Sequence, residues 1–238
     1  GDAPPRADAL PAYRRLVAGL LAAAAQEGAD VRYLSPWNEP NHPYFLAPQR
    51  PACDAAAPSL AAAPYAPLAR AMQAELTGDQ RLVLGETAGI VPRSPRATAV
   101  AELIAALPRD LVCAAPVWAQ HAYVGGTDPV AAVTAALDAH ACPRPHAIWI
   151  TETGVGPAPE ELSAAQQMTD CGLLHDRLLA WYENPRVTAA FQYTFREDDR
   201  FPTGLVSTDL RHARPALAEW QAWGARPSPD VPAPQPAC

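Results

Sequence analysis

Residues 147–154 read Ala-Ile-Trp-Ile-Thr-Glu-Thr-Gly, an apolar run of strand type that ends in a carboxylate and a glycine. A similar run occupies residues 31–34 (Val-Arg-Tyr-Leu) and leads into residues 37–41 (Trp-Asn-Glu-Pro-Asn). Each run therefore brings a glutamate, Glu39 or Glu152, to the end of a predicted strand. Strand patterns that alternate with helical patterns are typical of a parallel α/β fold, whose functional residues lie at the carboxyl ends of the strands.

The same alternation continues along the chain, with strand starts roughly thirty to fifty residues apart, as in the βα units of a (β/α)8 TIM barrel. The third helix is predicted from Ser94 as N-cap and Pro95 at the first helical position. Strands are predicted at about 31–37, 81–86, 111–120, 147–151 and 187–195. Helices are predicted at about 11–27, 65–77, from 94 onward, 128–141, 160–182 and 215–223.

A complete barrel has eight strands, and the patterns here predict five. We therefore expect only the C-terminal portion of a TIM barrel, strands four to eight, beginning on the helix that precedes strand four. Residues 1–225 are predicted to form this domain, and the proline-rich residues 226–238 a disordered tail. The chain starts with Gly1 rather than Met and has no signal-peptide pattern there, so we expect a processed product or a piece of a longer protein.

Composition restricts the partners that this chain can have. Its formal net charge is -7, and it carries no basic cluster. An acidic chain of this kind is poorly suited to nucleic acid or to an anionic membrane surface, and a neutral ligand such as a sugar fits it better. Apolar stretches are interrupted by proline and polar residues, so no membrane-spanning segment is predicted. The sequence does not predict the oligomeric state.

The chain has five cysteines, which are widely spaced and form no Cys-x-x-Cys pair. They do not cluster with histidines, so no zinc site is predicted. One or two disulfides in an exported protein are compatible with this spacing, and buried free cysteines are the alternative. Because the count is odd, at least one thiol is left over. The positions are Cys53, Cys113, Cys142, Cys171 and Cys238.

Polar side chains follow every predicted strand, at the point where an apolar strand body ends. Stability alone does not explain such a pattern. Active sites of barrels lie at these strand ends, so the polar side chains there are candidate site residues. His121 and Tyr123 are two residues apart, so their side chains are expected to point the same way. The full set comprises Asn38, Glu39, Glu86, His121, Tyr123, Glu152, Gln192, Tyr193 and the loop 196–200.

Two carboxylates from two strand ends are the groups that cleave a glycosidic bond. One stays protonated in order to protonate the leaving oxygen, and the other is ionised and attacks or stabilises the sugar cation. Either motif alone is also explained by a strand that ends in a turn with a solvated glutamate. The two motifs together favour catalysis by Glu39 and Glu152.

The motifs WNEPN (37–41), HAY (121–123) and ITETG (150–154) resemble the catalytic set of the clan of retaining (β/α)8-barrel β-glycosidases, which includes glycoside hydrolase families 5 and 39. The resemblance extends over about residues 11–223 and implies that the domain 1–225 is a glycoside hydrolase catalytic domain. It implies that Glu39 is the acid/base, that Glu152 is the nucleophile and that Asn38 contacts the sugar 2-hydroxyl. It also places His121 and Tyr123 in the site, where the tyrosine positions the nucleophile.

The sequence departs from the clan in two respects. Strands one to three, which supply an arginine near the nucleophile, are missing from the pattern. The tryptophan that commonly follows strand eight is replaced by Tyr193 or Phe195. We include Trp37, Glu86 and Tyr193 with the substrate-binding residues, although Glu86 is also explained as a salt bridge at the rim. His42, Tyr44 and Phe45 form either a sugar-stacking platform or a pin for their loop.

The sequence therefore predicts a secreted or extracytoplasmic retaining glycosidase that acts on a β-linked oligo- or polysaccharide and needs no metal or organic cofactor. In that case the two carboxyl groups are expected about 5–5.5 Å apart. One alternative is a truncated or inactive barrel that only binds carbohydrate. Another is a barrel hydrolase of different chemistry, which the lack of a metal-ligand cluster disfavours.

Overall fold

The computed structural model describes residues 3–155, 163–198, 203–225 and 231–238. These residues fall into two compact units. The first unit is Gly1–His121 with Asp128–Trp149, and the second is Ala122–Thr127 with Ile150–Cys238. The predicted start of a helix at residue 160, the end of the loop 196–200 and the first part of the predicted tail, 226–230, lie outside the described residues.

The described residues form five strands with helices between them along the chain, as the sequence predicts. The strands are β1 (Tyr33–Leu34), β2 (Arg81–Thr87), β3 (Val117–His121), β4 (Ala147–Thr153) and β5 (Val187–Gln192). The helices are α1 (Leu10–Gln26), α2 (Ala62–Gln73), α3 (Val100–Ala106), α4 (Arg109–Ala114), α5 (Val130–Asp138), α6 (Ala164–Glu183) and α7 (Pro215–Gly224). This parallel α/β order is consistent with part of a TIM-barrel-like fold.

Two predicted elements are wrong at their starts. No helix begins at Ser94; its hydroxyl instead accepts the Arg96 N–H (3.2 Å) in a turn, and α3 starts at Val100. Residues 111–114 belong to helix α4 rather than to a strand, and β3 starts at Val117. A short apolar run fits either a buried helix or a buried strand, so its periodicity alone does not distinguish them.

The strands follow the sheet order β1-β2-β3-β4-β5, which is also their order along the chain. Strands β1 and β2 pair in parallel, with Tyr33 opposite Arg81. Strands β2 and β3 are also parallel, with Val83 opposite Val117, and their register shifts between Gly85 and Thr87. Strand β3 is buried at every position, so it is covered on both faces.

The core of the first unit lies on both faces of its strands. Val83, Val117 and Ala119 form a buried cluster against which Ala147 and Trp149 pack. Helix α1 contributes little to this core, although Tyr13, Leu16, Val17, Leu20 and Leu21 form an apolar stripe along it. Within this helix only Val17 is buried, and Leu16 and Leu20 are 68% and 60% exposed.

In the second unit, α6 packs against α7 around a buried hydrogen bond. His175 Nδ1 lies 2.6 Å from Glu219 Oε1, and both side chains are buried. Helix α6 begins with a capping box, in which Ser163 and Gln166 satisfy each other's backbone N–H groups. The Trp223 indole N–H also donates to Glu219 Oε1 (2.7 Å), so this buried carboxylate is well satisfied.

The end of the chain is attached to this same region. Residues 231–238 contain no helix or strand, but Cys238 forms a disulfide with Cys171 of α6. The Ala237 backbone N–H donates to Glu219 Oε2 (2.9 Å). The prediction of a disordered tail over residues 226–238 did not anticipate that Ala237 and Cys238 are bonded to Glu219 and Cys171.

A second disulfide joins Cys113 and Cys142 in the first unit, and Cys53 is free and exposed. Two disulfides and one remaining thiol agree with the cysteine count, but the remaining thiol is not buried. Among the described helices, none is long and apolar enough to cross a membrane.

Candidate active site

Glu39 lies in the loop that follows β1, in a backbone conformation that is unusual for its residue type. Its φ is 40°, in the left-handed region that side chains with a Cβ rarely adopt. Its backbone N–H donates to the carbonyl oxygen of Glu86 (2.8 Å), which ties the loop to β2. Its side chain is 16% exposed, and Oε1 lies 2.9 Å from His121 Nδ1.

The loop is fixed from below by Asn41, which is completely buried. The side chain of Asn41 accepts the Ala88 backbone N–H (2.8 Å) and donates to the carbonyl oxygens of Ala88 (2.9 Å) and Thr98 (3.2 Å). Its own carbonyl accepts the Thr98 N–H (3.0 Å). Beyond the end of β1, the hydrogen bonds of the Asn41 side chain therefore join this loop to the backbone at Ala88 and Thr98.

Glu86 is directed into the first unit by a β-bulge in β2. Gly85 pairs with Ala119 and Thr87 with Gln120, so Glu86 is the extra residue in the ladder. Gly85 has a φ of 103° and Glu86 a φ of 50°. A bulge redirects the side chain of its extra residue. The Oε2 atom of Glu86 lies 3.1 Å from His121 Nε2.

Gly85 allows this bulge because a larger residue has no room there. A Cβ at this position would lie 2.2 Å from the carbonyl oxygen of Ala119 and 2.8 Å from the Trp118 ring. The Gly85 N–H, which the ladder does not use, donates to the buried hydroxyl of Tyr65 (2.9 Å). The sequence offered a signal, since a glycine inside a strand pattern suggests a bulge.

We expect Gly85→Ala to destabilise the protein by about 3 kcal/mol or more, because the positive φ and the clash with backbone act together. The melting temperature followed by circular dichroism should fall by about 10 °C. Gly19→Ala is the matched control, because a Cβ at Gly19 in α1 meets no atom within 4 Å. This control should be neutral or stabilising by about 0.5–1 kcal/mol. Equal melting temperatures for the two variants would contradict the bulge.

His121, the last residue of β3, lies between the two carboxylates of the first unit. Its side chain is 1% exposed, so water competes little for its ring nitrogens. Nδ1 faces Glu39, and Nε2 faces Glu86. His42 adds a second imidazole to this cluster, with Nδ1 4.0 Å from Glu39 Oε2.

The second unit holds the other predicted carboxylate. Glu152 lies near the end of β4, and its Oε2 accepts the hydroxyl hydrogen of Tyr123 (2.8 Å). The backbone holds these residues in register, because the Ala122 N–H donates to the carbonyl of Glu152 (2.9 Å) and the Val124 N–H to that of Gly154 (3.0 Å). The predicted pairing of Tyr123 with the Glu152 carboxylate has the required geometry.

Tyr193 follows β5 and belongs to the same part of the second unit. Its backbone N–H donates to the carbonyl of Thr153 (2.7 Å). Burial raises the pKa of the Tyr193 hydroxyl, and the negative charge of Glu152 raises it further, so this hydroxyl stays protonated. Gly154 lets the segments approach closely, since a Cβ there would lie 2.6 Å from Thr203.

Gln192 has a supporting role rather than a position facing a ligand. Its Nε2 donates to the carbonyl of Thr203 (2.6 Å), and its Oε1 accepts the Trp220 indole N–H (2.7 Å). The described part of the loop 196–200 contains a buried carboxylate. Glu197 is buried and pairs with Arg214 (2.5 Å), a partner outside that loop.

Some of the residues around Glu39 hold its loop in place, and others have side chains exposed to solvent. The Trp37 indole N–H donates to the carbonyl of Phe45 (3.1 Å), so this tryptophan holds the loop. Phe45 stacks edge-to-face with Tyr44, with ring centroids 5.0 Å apart. Asn38 is exposed, as is Tyr44, which leaves both side chains accessible to a ligand.

The second unit also contains a group of potential metal ligands. Donor atoms of Cys171, Glu219 and Cys238 lie within 4.8 Å of one another. The two sulfurs are joined in a disulfide, so they offer no thiolate to a metal.

Comparison with solved structures adds to this geometry. A GH39 β-xylosidase from Caulobacter crescentus matches 94% of the chain with a TM-score of 0.60 at 17% identity. The glycoside hydrolase family 30 subfamily 8 xylanase Xyn30A from Clostridium acetobutylicum matches 90% of the chain with a TM-score of 0.54 at 14% identity. The common property is the fold.

The matches cover 49% and 46% of those two proteins, so the chain spans about half the length of each. No protein-family profile matches the sequence, and no curated protein sequence matches it. The chain therefore shares its fold with these two glycoside hydrolases, while its sequence identity to them is low.

Proposed function

We propose that this protein is a retaining glycoside hydrolase that uses Glu152 as the nucleophile and Glu39 as the acid/base. The observation that carries the proposal is that each carboxylate has a hydrogen-bonding partner and lies near the C-terminal end of a strand, Glu39 in the loop after β1 and Glu152 in the last residues of β4. His121 holds Glu39, and Tyr123 holds Glu152. Active sites of this class of fold form at the carboxyl ends of such strands.

In the first step the Glu152 carboxylate attacks the anomeric carbon and forms a glycosyl ester, while the bond to the leaving oxygen breaks. Glu39 gives its proton to that oxygen. In the second step Glu39 removes a proton from water, whose oxygen attacks the anomeric carbon and releases Glu152. The Tyr123 hydroxyl, which donates to Oε2, orients the nucleophile.

The proposed substrates are β-linked oligo- or polysaccharides, and β-xylosides are the first probes, because one structural neighbour is a β-xylosidase and the other a xylanase. We propose that the exposed Asn38 contacts the sugar 2-hydroxyl. The proposed spacing between the two carboxyl groups remains about 5–5.5 Å. The two disulfides support an extracytoplasmic location, because disulfides persist in oxidising compartments.

Trapping of the glycosyl-enzyme tests this proposal. We expect 2,4-dinitrophenyl 2-deoxy-2-fluoro-β-xyloside, or the corresponding β-glucoside, to add one sugar to the protein, with the ester on Glu152 in the peptide map. The fluorine slows both steps, whereas the good leaving group restores the first, so the intermediate accumulates. Glu152→Gln should form no adduct.

An ester on a residue other than Glu152 would overturn the assignment of roles. Xylan or cello-oligosaccharide binding without an adduct, and without hydrolysis of any tested β-glycoside, would favour the alternative of a carbohydrate-binding protein without catalysis.

A further inference from the structure

The bulge in β2 places a third carboxylate against the histidine that contacts Glu39. We propose that Glu86 is a positioning residue that acts through His121 to direct the catalytic proton of Glu39. This inference rests on the proposed function, since it specifies how the acid/base is set up.

The proton inventory of the three side chains leads to this role. His121 has a carboxylate oxygen at hydrogen-bond distance from each ring nitrogen, 2.9 Å to Glu39 and 3.1 Å to Glu86. A neutral imidazole carries one N–H and can donate to only one of them. An imidazolium donates to both, and a buried imidazolium needs a nearby negative charge. Glu86 supplies that charge from the side away from Glu39.

The location of the N–H on Nδ1 decides which oxygen of Glu39 carries its proton. If Nδ1 is a donor, it occupies Oε1, and the acidic proton of Glu39 resides on Oε2. If Nδ1 is bare, it attracts that proton to Oε1 and away from a leaving group at Oε2. Glu86 therefore favours the productive arrangement, because it stabilises the doubly protonated ring of His121.

Glu39 and Glu86 are linked through the backbone as well as through the side chain of His121. The Glu39 N–H donates to the carbonyl of Glu86 (2.8 Å), and both residues have positive φ values, 40° and 50°. Such conformations persist in residues with a Cβ when the surrounding structure holds them. In the first unit, the carboxylates of Glu39 and Glu86 face the His121 ring, and His42 faces the other oxygen of Glu39.

The first test reads the His121 ring directly and needs no substrate. In protein labelled with ¹⁵N-histidine, we expect both ring nitrogens of His121 to carry protons at pH 7.5, above the ordinary histidine pKa of about 6.5. In Glu86→Gln the ring should lose its second proton at a pH about one unit or more lower. His121→Asn assigns the signal. Glu27→Gln, an exposed position at the end of α1, is the charge-matched control.

The second test separates positioning from general damage. For phenyl β-xyloside, whose leaving group needs protonation, Glu86→Gln should lower kcat/KM by about 10-fold or more. For 2,4-dinitrophenyl β-xyloside the loss should stay within about 3-fold, since this leaving group departs without an acid. Glu86→Asp, which keeps the charge, should recover part of the loss and serves as the test variant if Glu86→Gln does not fold. In a Glu39→Gln background, Glu86→Gln should add little.

Equal losses for the two xylosides, or a His121 ring whose titration is unchanged in Glu86→Gln, would overturn the role of Glu86. Failure of the proposed function has a different signature, which is the absence of turnover and of an adduct in the unmodified protein. The ring titration still decides the coupling of Glu86 to His121 in that case.

Discussion

Glu152→Gln is expected to lower kcat/KM for aryl β-xylosides by about 10⁴-fold or more, because the amide cannot form the glycosyl ester. The variant keeps the size of the side chain, and its amide oxygen can still accept the Tyr123 hydroxyl hydrogen that Glu152 Oε2 accepts. We therefore expect an unchanged fold. Initial rates with 2,4-dinitrophenyl β-xyloside and circular dichroism spectra measure the two properties.

Glu183→Gln, an exposed change at the end of α6 in the same unit, controls for the lost charge and should keep full activity. Tyr123→Phe retains Glu152 but removes the hydroxyl that orients it, so an intermediate loss is expected. A Glu152→Gln variant that retains more than about a tenth of the activity would rule out this residue as the nucleophile.

Glu39→Ala should show a loss that depends on the leaving group. For phenyl β-xyloside we expect kcat/KM to fall by about 10²–10⁴-fold, the usual contribution of a general acid. For 2,4-dinitrophenyl β-xyloside the fall should be less than about 10-fold, because that phenolate is a good leaving group.

Azide provides an independent test of the same residue. It attacks the glycosyl ester on Glu152 without needing a general base, so it should raise kcat of Glu39→Ala and yield β-xylosyl azide. Glu75→Ala, which removes the ion pair with Arg14, is the control. Its kcat should not rise with azide, and its kcat/KM for each of the two xylosides should equal that of the unmodified protein. A uniform loss across both xylosides, with no azide product, would contradict an acid/base role for Glu39.

The sequence predicted the parallel α/β arrangement because its strands are apolar runs that end in polar residues, and the helices between them carry clear periodicity. It failed where one local signal has two structural outcomes. Ser94-Pro95 has the form of a helix start, but the Ser94 hydroxyl closes a turn. The segment that contains Leu111 is buried as helix α4 rather than as a strand.

The candidate site was predicted less completely than the fold. Motif position identified Glu39, His121, Tyr123 and Glu152, because these residues stand at strand ends. The direction of Glu86 depends on a bulge whose register is set by pairing with β3, which no local pattern contains. Asn41 was missed for a similar reason, since its partners at Ala88 and Thr98 are 47 and 57 residues away along the chain.

The exposed Cys53 determines how this protein should be handled. A thiolate there can attack either disulfide and exchange partners with it, which scrambles the crosslinks or links two copies covalently. The reaction accelerates as the pH rises, because the thiolate and not the thiol is the attacking group. Purification in mildly acidic buffer without added reductant, or a Cys53→Ser background, preserves the native crosslinks for the alkaline half of any pH series.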